Sequence, residues 1–116
     1  MEEEIYLIYG QLMASQSLEA LALLFPKMKT KLGESSHYEG GRYLRITDVA
    51  ETELTFEKIQ RKEFLIKGEA DTKEALQNLC KRISAILTAN QLKHRMELYD
   101  EAEVQFHFLH FNWENT

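Results

Sequence analysis

At 116 residues the chain is sized for a single domain, 1–116, around one hydrophobic core, and 44% apolar with 28% charged residues is the composition of a folded protein. Nineteen acids against fourteen bases give a net charge of −5, which opposes nucleic-acid binding, because that binding is driven by cations displacing counterions from phosphates. The opening MEEEIYLIYG holds acids where a secretory leader carries Lys or Arg, and no apolar run approaches the about 20 residues that span a bilayer, so a cytoplasmic protein without membrane contact is expected.

The first element, residues 5–12 (IYLIYGQL), is rich in β-branched and aromatic residues and apolar at both parities, which predicts a central strand covered on both faces. Ser15 and Ser17 are both candidate caps for a following helix, in which Leu18, Leu21, Ala22 and Phe25 recur at helical spacing. Pro26 cannot donate to the Ala22 carbonyl, so the helix is expected to kink there and continue as a second segment. Lys27, Lys29 and Lys31 suit that segment's C-terminal end, and Gly33 its stop.

After the loop GESSHYEGG, the stretch RYLRITDV alternates Leu44 and Ile46 with Tyr43, Arg45 and Thr47, the pattern of a half-buried strand. ELTFEKI and KEFLIKGEA predict two further strands joined through the polar residues 58–62. In DTKEALQNLCKRISAILTAN, Asp71 is placed to cap with Glu74 reaching back, and Leu76, Leu79, Cys80, Ile83, Ile86 and Leu87 form one stripe of a helix of about five turns. Asn90 is the expected C-cap. HRMELY and VQFHFLHF then form a terminal hairpin around the acidic turn DEAE.

This order predicts an α+β two-layer sandwich: a mainly antiparallel sheet of five or six strands with two helices on one face, approaching a ferredoxin-like arrangement with an added strand.

His107 and His110 invite a metal reading. Side chains alternate faces along a strand, so residues three apart point to opposite sides and cannot share an ion. The same alternation sets Val104, Phe106, Phe108 and His110 on one side and His107, Leu109, Phe111 and Trp113 on the other. With helices covering a single face, one aromatic surface is left for a second copy, a partner, a ligand or another segment of the chain to cover. Cys80 falls on the apolar helix stripe, where a thiol acts as a small hydrophobe. The run HYEGGRY, from His37 to Tyr43, gathers acid, base and cation types around two glycines, but its glycines fit neither a phosphate loop nor a dinucleotide fingerprint.

Acids cluster at Glu2, Glu3 and Glu4, at Glu51 and Glu53, and at Asp100, Glu101 and Glu103, and carboxylates presented together favour a basic partner. No catalytic, metal or nucleotide signature emerges, and no cofactor is expected. The leading expectation is a non-enzymatic, protein-binding chain, most concretely an acidic immunity-type inhibitor of a basic bacterial toxin such as a nuclease. Its expected contacts are Asp100, Glu101, Glu103, Glu51, Glu53, His107, Phe111 and Trp113. Two alternatives are a homodimeric small-molecule-binding regulatory module and a small hydrolase centred on His37.

Overall fold

Alternating apolar and polar residues become strands where one set finds a shared core, and seven segments among the described residues do so. The computed structural model describes residues 5–34, 41–48 and 51–113. Among the described residues the order is β1 (Tyr6–Met13), α1 (Leu18–Ala22), β2 (Lys29–Glu34), β3 (Arg42–Asp48), β4 (Thr52–Gln60), β5 (Glu63–Ala70), α2 (Lys73–Ala89), β6 (Lys93–Tyr99) and β7 (Gln105–Phe111). The strands form one sheet, β2-β3-β4-β5-β1-β6-β7, with every neighbouring pair antiparallel.

The register explains the core. Leu44 pairs with Phe56, Phe56 with Ile66, and Ile8 with both Gly68 and Leu98, so these residues share one side of the sheet. Both helices cover that side, and its large side chains are fully buried. The other side carries no helix among the described residues. The expectation that β1 is covered on both faces is therefore corrected: β1 is central, but Tyr9 on its uncovered side is 48% exposed.

Ser17 is the cap of α1, its hydroxyl accepting from the Ala20 amide at 3.1 Å. The helix lasts five residues, and the expected second segment beyond Pro26 does not form. The chain turns through a bond from the Met28 amide to the Phe25 carbonyl at 3.1 Å and continues as strand β2. Lys29, Thr30, Lys31 and Leu32 there form an edge strand whose lysines discourage further pairing. This conversion from helix to strand raises the count to seven, above the five or six expected. It also departs from the ferredoxin-like expectation, since α1 leads to the far edge of the sheet.

α2 buries Leu76, Leu79, Cys80, Ile83 and Leu87 against the sheet, and each large side chain contributes roughly 1.5–3 kcal/mol by leaving water. Its cap is Thr72, not Asp71: the Thr72 hydroxyl accepts from the Ala75 amide at 3.1 Å. Asn90 is the C-cap as expected. Gln91 then takes a left-handed φ of 57°, and the amides of Gln91 and Leu92 close onto the Thr88 and Leu87 carbonyls, both at 2.9 Å. No helix among the described residues is long and apolar enough to cross a membrane.

Two glycines let the central strands approach. A Cβ on Gly10 would strike the Arg95 carbonyl, and one on Gly68 would strike that of Glu53. The strands β3, β4 and β5 and the hairpin β6–β7 stand where the period-two pattern placed them, with β4 running on to Gln60 and the turn shortened to Arg61 and Lys62.

Candidate functional site

The uncovered face is read from the register as rows across the sheet. One row carries Thr47, Glu53, Glu69, Leu7 and Tyr99; the next carries Arg45, Thr55, Lys67, Tyr9, Glu97 and Phe108. A third carries Tyr43, Glu57, Leu65, Gln11, Arg95 and His110.

Most charges in the middle rows are already engaged. Lys67 reaches Glu57 at 3.3 Å and Arg45 reaches Glu53 at 3.8 Å. Arg95 donates from Nε to Gln11 Oε1 and from one terminal nitrogen to Glu97 Oε1, both at 2.9 Å. Trp113 folds onto the same face with its ring 5.1 Å from Lys93 Nζ and 5.4 Å from the Arg95 guanidinium carbon. Phe108 and His110 lie beside each other with ring centres 5.1 Å apart.

One corner differs. Tyr9 and Tyr99 meet edge to face with ring centres 6.1 Å apart, and with Leu7, Glu97 and Glu103 they line a shallow depression. The Tyr99 hydroxyl donates to Glu97 Oε2 at 2.7 Å, and that bond to a carboxylate holds the phenol's pKa above its ordinary value. Glu97 already accepts from Arg95 and Tyr99, so the charge the corner offers an incoming cation comes chiefly from Glu103, beside the two aromatic rings.

Strand directions bring the acid clusters to this end of the sheet. Glu51 and Glu53 begin β4, Glu69 and Asp71 follow the end of β5, and Asp100, Glu101 and Glu103 form the β6–β7 turn. Lys29 and Lys73 are among the cations at this end, as is Arg82 of α2, which pairs with Asp48, whereas Arg42, Arg61, Lys62 and Lys93 stand at the opposite end. Glu53 on β4 and Tyr99 on β6 are three strand spacings apart, about 14 Å. In the turn, Asp100 Oδ1 accepts from the Ala102 and Val104 amides at 2.9 and 3.0 Å. Glu103 takes the left-handed position at φ 63°, and Glu51 does the same at φ 53°. Glu2, Glu3, Glu4 and His37 lie outside the described residues.

The two histidines of β7 lie on opposite sides of the sheet. His107 stands opposite buried Leu98 on the helix side, and His110 opposite Arg95 on the uncovered side. Phe111 stands opposite buried His94 and so shares the helix side with His107. The expected grouping of His107, Phe111 and Trp113 on one face is corrected, because Asn112, at φ 55°, turns Trp113 across to the other side. A second correction concerns Phe106. A register shift opposite Leu98 and Tyr99 bulges β7, and Phe106 turns to the helix side, meeting Tyr6 edge to face at 6.1 Å beneath Lys73. Among the described residues no three His, Cys, Asp or Glu converge as metal ligands.

A buried polar pair on the helix side was not anticipated. Ser84 of α2 and His94 of β6 are 2.7 Å apart, and His94 Nδ1 bonds the Leu92 carbonyl at 2.9 Å. That carbonyl accepts, so Nδ1 carries the proton and Nε2 accepts from the serine hydroxyl. Burial lowers the His94 pKa and keeps the ring neutral. The bonding order matches a nucleophile and its base, but His94 is 0% and Ser84 7% exposed, and the pair is sealed from any substrate. The sequence signal was available: His94 shares parity with Met96 and Leu98, and Ser84 lies on the stripe of Cys80 and Leu87. Cys80 is buried as well, and burial pushes its thiol up to about 12, which makes it inert.

No family model matches this chain, and no curated protein matches it in sequence.

Proposed function

We propose that this chain is a non-catalytic protein-binding protein that receives Lys or Arg side chains of a basic partner at the Tyr9–Tyr99 corner. The observation that carries the reading is the pairing of those two rings with Glu97 and Glu103 at the acidic end of the helix-free face. Glu51, Glu53, Glu69, Asp100 and Glu101 stand at the same end of the sheet and would steer a basic surface toward it. Trp113 extends the same face toward the opposite end, while His107 and Phe111 turn away from it. A desolvated cation held between tyrosines and carboxylates is the kind of central anchor from which protein interfaces draw most of their affinity.

The most concrete form of this reading is an immunity-type inhibitor acting in the cytoplasm on a basic bacterial toxin such as a nuclease. Isothermal titration against a purified basic nuclease-toxin domain tests it. The reading expects tight association that weakens steeply with salt and is lost when Asp100, Glu101 and Glu103 are reversed to Lys. Unchanged affinity in that variant and in the matching Glu51 and Glu53 reversal rejects it.

A further inference from the structure

We infer that the bare edge of β7 joins a second copy of this chain, so that two sheets run on as one across a two-fold axis. β7 ends the sheet and pairs with β6 alone among the described residues, leaving its outward amides and carbonyls without a strand partner. Folded proteins guard such edges with charge, proline, a bulge or a covering segment, because an unguarded edge is a template for another extended chain, and the bulge at Phe106 marks only the start of β7, leaving residues 107–111 regular. The far edge obeys this rule, since β2 reads KTKLGE. β7 reads QFHFLHF, with no Asp, Glu, Lys, Arg or Pro in its seven residues.

Geometry and charge both favour a second copy over an unrelated peptide. A two-fold axis normal to the sheet sets β7 antiparallel to its copy, the arrangement of every strand pair already in the sheet. The acidic turn with Glu101 and Glu103 leads into β7, and Lys93 stands beside the far end of the strand. Antiparallel pairing therefore turns the acids of each copy toward the end of the other that carries Lys93, two strand spacings or about 10 Å away, twice over. Phe108, the middle residue of β7, falls on the axis and meets its own copy on the uncovered face. The edge shares Glu101 and Glu103 with the Tyr9–Tyr99 corner, and Phe108 stands opposite Glu97, but its pairing needs no basic partner, so the mass of the chain alone in solution tests it apart from the proposed function.

Sedimentation equilibrium of the full chain tests the inference. The expected species is a dimer of 2 × 13.6 = 27.2 kDa. Phe108→Lys and Phe108→Glu each set like charges together at the axis and raise the dimer dissociation constant roughly tenfold or more, and mixing the two variants restores the dimer. Circular dichroism checks their folding, and amide hydrogen exchange of β7 in the wild-type chain gives a second reading that needs no substitution: its outward amides are expected to be protected at concentrations where the dimer forms and to exchange freely on dilution. A wild-type chain that sediments at 13.6 kDa at every concentration overturns the inference. So does a dimer whose dissociation constant the Phe108 variants do not move and whose β7 amides stay unprotected, or an edge that takes up an unrelated extended peptide while the chain stays monomeric.

Discussion

Ser84 and His94 share a 2.7 Å hydrogen bond that fastens the middle of α2 to the start of β6 inside the core. His94 is oriented from its other nitrogen by the Leu92 carbonyl, just past the C-cap of α2, so a single ring ties helix, cap and strand together. Removing one member strands the other. Ser84→Ala takes away the donor to Nε2 and is expected to cost about 1–3 kcal/mol in denaturant unfolding.

The same ring makes stability depend on pH. Burial lowers the folded-state pKa of His94 below its ordinary 6.5, so between the two values the unfolded chain binds more protons than the folded one. Stability from this group is complete above 6.5 and is lost as pH falls from there through the folded pKa. Urea melts across that range are expected to show the loss, and the double variant Ser84→Ala, His94→Leu is expected to flatten that part of the slope. A slope identical in both proteins would assign the acid sensitivity elsewhere.

Glu103 occupies a left-handed position, φ 63°, that glycine adopts without steric cost. Glu103→Gly is expected to raise stability by about 0.5–1 kcal/mol in denaturant unfolding, while weakening the association with a basic partner. Gain in one measurement and loss in the other would separate the turn's geometry from its charge.

Glu97 holds the Tyr99 phenol above its ordinary pKa of 10.0 by accepting its hydrogen bond. Ultraviolet titration of the phenolate in Glu97→Gln is expected to bring Tyr99 back toward that value. No change would mean that the corner is not held together by this bond.

Gly10 faces the Arg95 carbonyl so closely that a Cβ has no room. Gly10→Ala is expected to push β1 away from β6 and cost about 1–3 kcal/mol, read as a lower denaturant midpoint.

Legibility in the sequence followed the range of the interactions. The strands β3, β4 and β5, the hairpin β6–β7 and the helix α2 announce themselves through local periods of two and 3.6, and they formed as expected. β2 was hidden because lysines at 27, 29 and 31 fit a helix end as well as an edge strand, and only pairing with β3 decides between them. Phe106 and Trp113 were assigned the wrong sides because a bulge and a left-handed Asn112 reset the alternation, and neither leaves a local mark. The Ser84–His94 pair needed α2 laid over β6 before its two polar residues met. The acid clusters were plain in the sequence, but their gathering at one end followed from strand direction.

The most direct measurement is an amide-shift map of the labelled chain as a basic protein domain is titrated in at low salt. The account predicts that shifts concentrate in β1, β6 and the turn at residues 100–104, and fade in Tyr99→Ala. Shifts confined to α1 and α2, or spread evenly over the surface, would contradict it.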